Sequence, residues 1–247
     1  MERILFASDL DNTLIFSHKH RRPGDICVER FEGREQSFMT PRAFALLREV
    51  ASTVDFLPVT TRSIEQYRRI RLPVEPERAV TTNGGILLRN GIPDGSWLLE
   101  SQQLAQPYQA ELARLYEELP GQDWCLRRKM VDGLYLFAVC QGDIRTCAAA
   151  YRGWTPLVVA PSGRKLYFFP PGLDKGAALK RLALPDICAG DSTLDVPALR
   201  LSGTPLVPDL ELARLVGGKN VHVCPETMHF SEFVLEIVWK ISRGEDV

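Results

Sequence analysis

The strongest constraint on how this chain folds is a repeated local pattern: a short apolar run that stops at polar residues, followed by a segment with helical spacing. Residues 3–8 are apolar and stop at Asp9. Thr40-Pro41 then signals a helix start, with Phe44, Leu47 and Val50 at helical spacing. A second run, 54–59, ends at Thr60-Thr61-Arg62, and Ser63 caps a helix reaching Ile70. The third run, 79–82, ends at Asn83-Gly84-Gly85. Strand, helix, strand, helix, strand in this order implies a parallel sheet with right-handed crossovers. The polar run ends then share one edge of that sheet.

The middle of the chain changes character. A hairpin-like stretch at 86–99 precedes an amphipathic helix over roughly 102–119. Strands follow at 123–130, 134–140, 156–160 and 164–169, with a helix at 143–152. Short turns such as Asp132-Gly133 and Ser162-Gly163 make this unit antiparallel. After Pro170-Pro171 the first rhythm returns, with a helix capped by Asp174, strands at 187–189, 204–207 and 221–223, and helices at 209–215 and 230–243. The expected fold class is therefore α/β, a Rossmann-like parallel-sheet core with an inserted smaller α+β cap domain. Residues 1–84 and 171–247 would form the core and 85–170 the cap. Segment 14–39 reads as irregular and polar, with a possible hairpin around Glu32-Gly33-Arg34.

Charge and cysteine usage narrow the setting. Lys+Arg 30 against Asp+Glu 31 leaves a net charge of -1, so no global field selects nucleic acid or an anionic membrane. The six cysteines are scattered without metal-ligand spacing, which reads as reduced and intracellular. The run 4–7 is stopped by Asp9, too soon for a signal peptide, and no stretch approaches 18 apolar residues. The expectation is a soluble, cytoplasmic protein with a small-molecule partner, no nucleic acid and no membrane.

Ligands of open parallel sheets bind beyond the carboxyl ends of the strands. Asp9, Asp11 and Thr13, then Thr60 with Arg62, Asn83, and Gly190-Asp191 with Asp195 would thus converge, and Lys175 can reach the same edge. Asp9 and Asp11 project to one side at a spacing of two, and such a pair needs a raised pKa or a bound cation. Mg²⁺ suits carboxylate oxygen and phosphate substrates, and Asp191 would complete its cage. A carboxylate nucleophile can form an aspartyl-phosphate, while a second acid protonates the leaving oxygen and later activates water.

Asp9-Leu10-Asp11-Asn12-Thr13-Leu14, Thr60-Thr61-Arg62, Asp174-Lys175-Gly176 and Gly190-Asp191-Ser192-Thr193-Leu194-Asp195 resemble, in order and spacing, the four motifs of the haloacid dehalogenase-like superfamily. An α+β insertion between the second and third motifs resembles the subgroup of Cof-like sugar phosphatases, sucrose-phosphate phosphatase and phosphomannomutase. The resemblance implies a Mg²⁺-dependent phosphatase acting on a small phosphorylated metabolite such as a sugar phosphate. By it, Asp9 is the nucleophile and Asp11 the general acid/base, with Asp9, Asp11, Asp191 and Asp195 at the metal. Thr13, Thr60, Thr61, Arg62, Asn83 and Lys175 would hold phosphate or substrate. Thr61 stands where the family has Gly, Leu194 where it has Asn, and segment 14–39 is longer than the Cof-like pattern.

Alternatives stay open for several residues. Arg62 reads equally as a salt bridge on the helix that follows it, Asn83 as a turn residue, and Asp195 as a helix-surface acid. The basic runs His18–Arg22 and Arg127-Arg128-Lys129 read first as solvated faces, whereas Arg164-Lys165 lies in a cap hairpin that can face the crevice. The competing functions are a phosphomutase, which needs an inward cationic clamp on its cap, and a non-catalytic module that binds a phosphate ligand.

Overall fold

Phe6 on one side of the first strand, and Leu5 and Ala7 on the other, are all buried, so this strand is covered on both faces. The computed structural model describes residues 3–218 and 220–247. In chain order the elements begin with β1 (Leu5–Ser8), β2 (Phe16–Ser17), β3 (Ile26–Phe31), β4 (Arg34–Met39), α1 (Pro41–Thr53), β5 (Asp55–Pro58), α2 (Ile64–Arg68), β6 (Arg78–Thr81), β7 (Ile86–Arg89) and β8 (Ile92–Pro93). The middle contains α3 (Gly95–Ala105), α4 (Gln109–Glu118), β9 (Cys125–Val131), β10 (Tyr135–Cys140), α5 (Ile144–Tyr151), β11 (Val158–Ser162) and β12 (Lys165–Phe169). The chain ends with α6 (Lys175–Leu182), β13 (Ile187–Ala189), α7 (Val196–Leu199), β14 (Thr204–Val207), α8 (Leu210–Val216), β15 (His222–Val223) and α9 (Phe230–Ser242).

The central sheet is parallel, in the order β15-β14-β13-β1-β5. A parallel bridge between Val59 and Val80 joins β6 beyond β5, and β6, β7 and β8 form an antiparallel extension. The expected junction at 84–85 falls within that extension. One face of the sheet buries Phe6, Phe56 and Ile187 under Leu47 and Val50 of α1 and Val234 and Val238 of α9. The other buries Leu5, Ala7 and Leu57 under Leu179 of α6, Leu199 of α7 and Leu212 of α8. Covering both faces is what a parallel sheet requires, and it explains the nearly continuous apolar runs.

The second sheet is antiparallel, in the order β11-β12-β10-β9. Leu136, Ala138, Leu166 and Phe168 point to one face and are buried with Leu112 and Leu115 of α4 and Ala148 of α5. Tyr135, Phe137, Tyr167 and Phe169 point to the other face, toward the strand ends of the central sheet. Among the described residues no helix is long and apolar enough to cross a membrane.

Two local expectations are corrected. The helix expected over 102–119 is two helices, because Pro107 lies in a 3₁₀ turn, Gln106–Tyr108, and lacks the N–H an α-helix would need there. The first of them starts inside the stretch read as a hairpin, where the Asp94 side chain accepts from the Ser96 and Trp97 amides as an N-cap. Segment 14–39 is not irregular: β2, β4 and β3 form a three-stranded antiparallel sheet, with Glu32-Gly33 as the turn.

Candidate active site

Parallel pairing brings the acidic tips together. Ser8 sits opposite Ala189 in the register of β1 and β13, and the Asp9 amide donates to the Ala189 carbonyl at 2.9 Å. Asp9 and Asp191 therefore leave neighbouring strands side by side. Beyond Asp9 the chain curls around the Leu10 carbonyl, which accepts from the amides of Thr13, Leu14 and Ile15. Leu10 and Leu14 are buried and anchor the loop, while Asp9 and Asp11 line the cleft. Asn12 takes the left-handed conformation this curl requires, φ 58°, which Asn tolerates well.

Lys175 completes the group. It is the first residue of α6, whose N-cap Asp174 accepts from the Ala177 amide. A cation there opposes the helix dipole, so this position is unfavourable unless acids compensate it. They do: Lys175 Nζ donates to Asp9 Oδ1 and to Asp195 Oδ1, both at 2.5 Å, with Lys175 only 2% exposed. Burial pushes the ammonium toward neutrality, but Asp195 and Asp9 outweigh it and hold its pKa above the ordinary lysine value. Asp195 Oδ2 in turn accepts from the Ser192 amide and hydroxyl at 3.0 and 2.9 Å. Leu194 takes no part in this bonding; it lines the cleft, and Ser192 and Lys175 fix Asp195 without it.

Gly190 makes this arrangement possible. A Cβ at position 190 would lie 2.4 Å from Asp195 Cβ and 2.6 Å from its Cγ, so only glycine lets Asp195 fold back on the strand end.

Asp9, Asp191 and Asp195 each offer a carboxylate oxygen within 4.8 Å of the others. Burial, chiefly, raises the Asp9 pKa well above the usual carboxylate range; Lys175 opposes this, and Asp195, Asp191 and Asp11 add to it. Asp191 is pushed up to about 7, first by burial and then by Asp195, against a hydrogen bond from Asn12. Three carboxylates against one ammonium leave negative charge uncompensated, and an all-oxygen donor set of this kind fits Mg²⁺. Both oxygens of Asp195 are already engaged by protein groups, so Asp9 and Asp191 are the better-placed ligands.

Asp11 has a different partner. Arg62 grips it from Nε and Nη2, each at 2.7 Å, and Arg62 Nη1 lies 2.9 Å from Glu29 Oε2. Glu29 is buried, 4% exposed, and also bonds the Ser37 hydroxyl at 2.6 Å and Arg69 at 3.1 Å. Desolvation raises the Asp11 pKa, but the hydrogen bonds and charge of Arg62 outweigh it and hold the carboxyl below its ordinary value. The small sheet of β2, β3 and β4 thus places Glu29 and Ser37 against Arg62, the residue that grips the acid/base candidate. Glu29 stands at no strand end and in no motif; its one signal in the sequence is an acid set in the otherwise apolar start of a strand.

The other candidates divide. Thr60 is fully buried beside β6, and its hydroxyl accepts from the Arg62 amide at 3.2 Å. Thr61 lines the cleft, and its carbonyl accepts from the Tyr135 hydroxyl at 2.6 Å. Thr13 Oγ1 is buried without a hydrogen-bond partner among the described residues. Asn83 faces elsewhere: its amide donates to the Leu173 carbonyl at 3.1 Å, tying the two chain crossings together. Gly84 beside it has φ +103°, and a Cβ there would meet the Asp174 carbonyl oxygen at 2.6 Å. Asp132 of the second sheet accepts from the Thr82 hydroxyl at 2.5 Å and the Ile64 amide at 3.3 Å, docking that sheet over the site. The cleft so formed is about 1030 Å³ and holds Asp9, Asp11, Lys175 and Asp191 on its floor.

No family model matches the chain, and no curated protein matches it. Solved structures do. The sucrose-phosphatase of Synechocystis sp., in complex with sucrose and phosphate, superposes with a TM-score of 0.64 at 16% identity, over 97% of this chain and 98% of that one. A trehalose-6-phosphate phosphatase related protein matches with a TM-score of 0.57 at 16% identity, over 97% of each chain. The trehalose-6-phosphate phosphatase of Aspergillus fumigatus gives 0.56 at 12%, over 98% of this chain and 93% of that one. The chain shares the fold of these phosphatases, a parallel-sheet α/β core with an inserted α+β cap. At these identities the likeness establishes the fold, and the chemistry rests on the residues at the strand ends.

Proposed function

We propose that this chain is a Mg²⁺-dependent phosphatase that hydrolyses a small phosphorylated metabolite, of the sugar-phosphate or polyol-phosphate kind, through an aspartyl-phosphate on Asp9. The observation that carries this reading is the Lys175 ammonium bonded to both Asp9 and Asp195 beside Asp191, on the floor of a cleft roofed by the antiparallel sheet. A sucrose-phosphatase and a trehalose-6-phosphate phosphatase share the fold, which favours a small phosphorylated substrate. The six free cysteines favour a reducing, cytoplasmic setting.

Asp9 Oδ2 attacks phosphorus while Lys175 keeps Oδ1 in place. Asp11 gives its proton to the departing oxygen, then takes one from the water that attacks the phosphorus of the aspartyl-phosphate, which frees Asp9. Lys175 donates to the phosphoryl oxygens as charge develops there, and Thr60, buried behind the cleft, holds the Arg62 amide. Mg²⁺ held by Asp9, Asp191 and the main-chain carbonyl of Asp11 would supply Lewis-acid stabilisation of the same oxygens. Beta strands β9 to β12 act as the cap that shields the reaction from bulk water. Asp9→Asn keeps the shape of the side chain and removes the nucleophile, so it should abolish Mg²⁺-dependent phosphate release while the protein stays folded. Full activity in that variant would contradict the mechanism.

A further inference from the structure

The face of the antiparallel sheet turned toward Asp11 carries a group of cations that the mechanism above does not use. Lys129 and Tyr167 both lie opposite Phe137, and Arg127 and Lys165 both lie opposite Val139. Directly opposed residues share a face of a pleated sheet, so Arg127, Lys129 and Lys165 stand together. They line the same cleft as Asp9 and Lys175, and Arg164 lines it from the adjoining turn. Arg127 is exposed and Lys129 half-exposed, as the solvated-face reading of the 127–129 run expected, and the solvent they face is that of the cleft; Arg128, on the other face, stacks on Tyr116 instead.

Like charges at this spacing repel. Among the described residues Arg127 and Lys165 make no ion pair, and Lys129 has only Glu65, 3.9 Å away and largely exposed. Lys165 Nζ lies 4.9 Å from the centre of the Phe137 ring, its stem held against the sheet. Asp11, the acid whose charge acts on it, is already engaged on both oxygens by Arg62. A cluster of cations over a cleft, lacking protein counter-ions, is an arrangement an anionic ligand stabilises.

We propose that Arg127, Lys129 and Lys165 form a second anion subsite, and that the substrate is a phosphomonoester bearing a further anionic group, a second phosphate or a carboxylate, at its far end. This inference rests on the phosphatase reading, in that the first phosphoryl group lies over Asp9. Lys165, on β12 across Val139 from Arg127 and supported by Phe137, is the specificity-determining residue of the three.

The test uses matched esters: glycerol 3-phosphate against 3-phosphoglycerate for the carboxylate arm, and fructose 6-phosphate against fructose 1,6-bisphosphate for the phosphate arm. Binding to full-length Asp9→Asn protein with Mg²⁺ is measured by calorimetry, and turnover by the wild type is measured in parallel. At least one arm should show the doubly anionic ester bound about tenfold tighter or more, the worth of a charge-assisted hydrogen bond or two. Lys165→Met, which keeps the stem over Phe137, should bring that ratio to about one, and Lys165→Arg should restore most of it. Equal binding of both members in both arms, or a preference that survives Lys165→Met, would overturn the subsite. A binding preference without phosphate release from any ester would leave the subsite standing and sink the phosphatase reading; release without any preference would do the reverse.

Discussion

Arg62 donates to both carboxylate oxygens of Asp11, from Nε and from Nη2, at 2.7 Å each. An acid gripped this way stays ionised, yet the first half of the proposed reaction needs it protonated. Ester cleavage should therefore lose rate on the alkaline side at a lower pH than an unpaired Asp11 would allow. Arg62→Gln removes the grip, and the Asp11 pKa should rise. The alkaline limb of kcat/KM for an alkyl phosphate should then move upward by about one pH unit or more, in line with a carboxylate losing a close cation. The same change leaves buried Glu29 with Arg69 as its remaining cation, so the Tm should fall, and adding Glu29→Gln should recover part of it. An alkaline limb that does not move would remove Asp11 from the acid role.

Asp191 gives a second pH signature. Its carboxyl is raised to about 7 by burial and by Asp195. A protonated carboxyl is a poor ligand, so Mg²⁺ affinity should weaken as pH falls below 7 and level off above it. The metal-free protein should show the complementary trend. A carboxyl whose pKa is higher folded than unfolded makes the native state bind more protons between those two values, so stability falls as pH rises from about 4 through about 7. Thermal melts across this range, with and without Mg²⁺, should give a metal-induced rise in Tm that grows with pH. A rise that stays constant would place the metal away from Asp191.

Gly190→Ala tests whether the site is held by packing. The added methyl would lie 2.4 Å from Asp195 Cβ, and Asp195 is one of the two acids that hold Lys175. Overpacking of this kind costs about 1–3 kcal/mol. Activity should suffer more than stability: a misplacement of about 1 Å near the reacting group costs on the order of a hundredfold in rate. Urea melts and phosphate release on the same preparation separate the two, and a variant with near-normal rate would show that Lys175 is positioned without Asp195.

The strand tips at Asp9, Thr60 and Asp191 were legible because each ends a short apolar run, and the parallel register converts those ends into neighbours. The cap sheet was legible from its turns at Asp132-Gly133 and Ser162-Gly163. The 14–39 segment was not, since β2 spans only Phe16–Ser17 and β3 mixes charged with apolar residues, so alternation is weak there. That gap hid Glu29 and with it the ion pairing that commits Arg62 to Asp11. Asn83 stands at a strand end like the others, but local backbone geometry turned its amide to Leu173, which no spacing rule foretells. The orientation of Arg127 and Lys129 likewise depended on strand register, and a one-residue slip would have put both on the opposite face.

Whether Asp9 is the nucleophile can be read by covalent trapping. The wild-type protein is mixed with Mg²⁺ and a hydrolysable phosphomonoester, quenched in acid within one turnover, digested, and its peptides read by mass spectrometry. One added phosphoryl group is expected on Asp9, in the peptide that also contains Asp11, and none in the Asp9→Asn variant. A phosphoryl group on another residue, or continued phosphate release by Asp9→Asn, would contradict it.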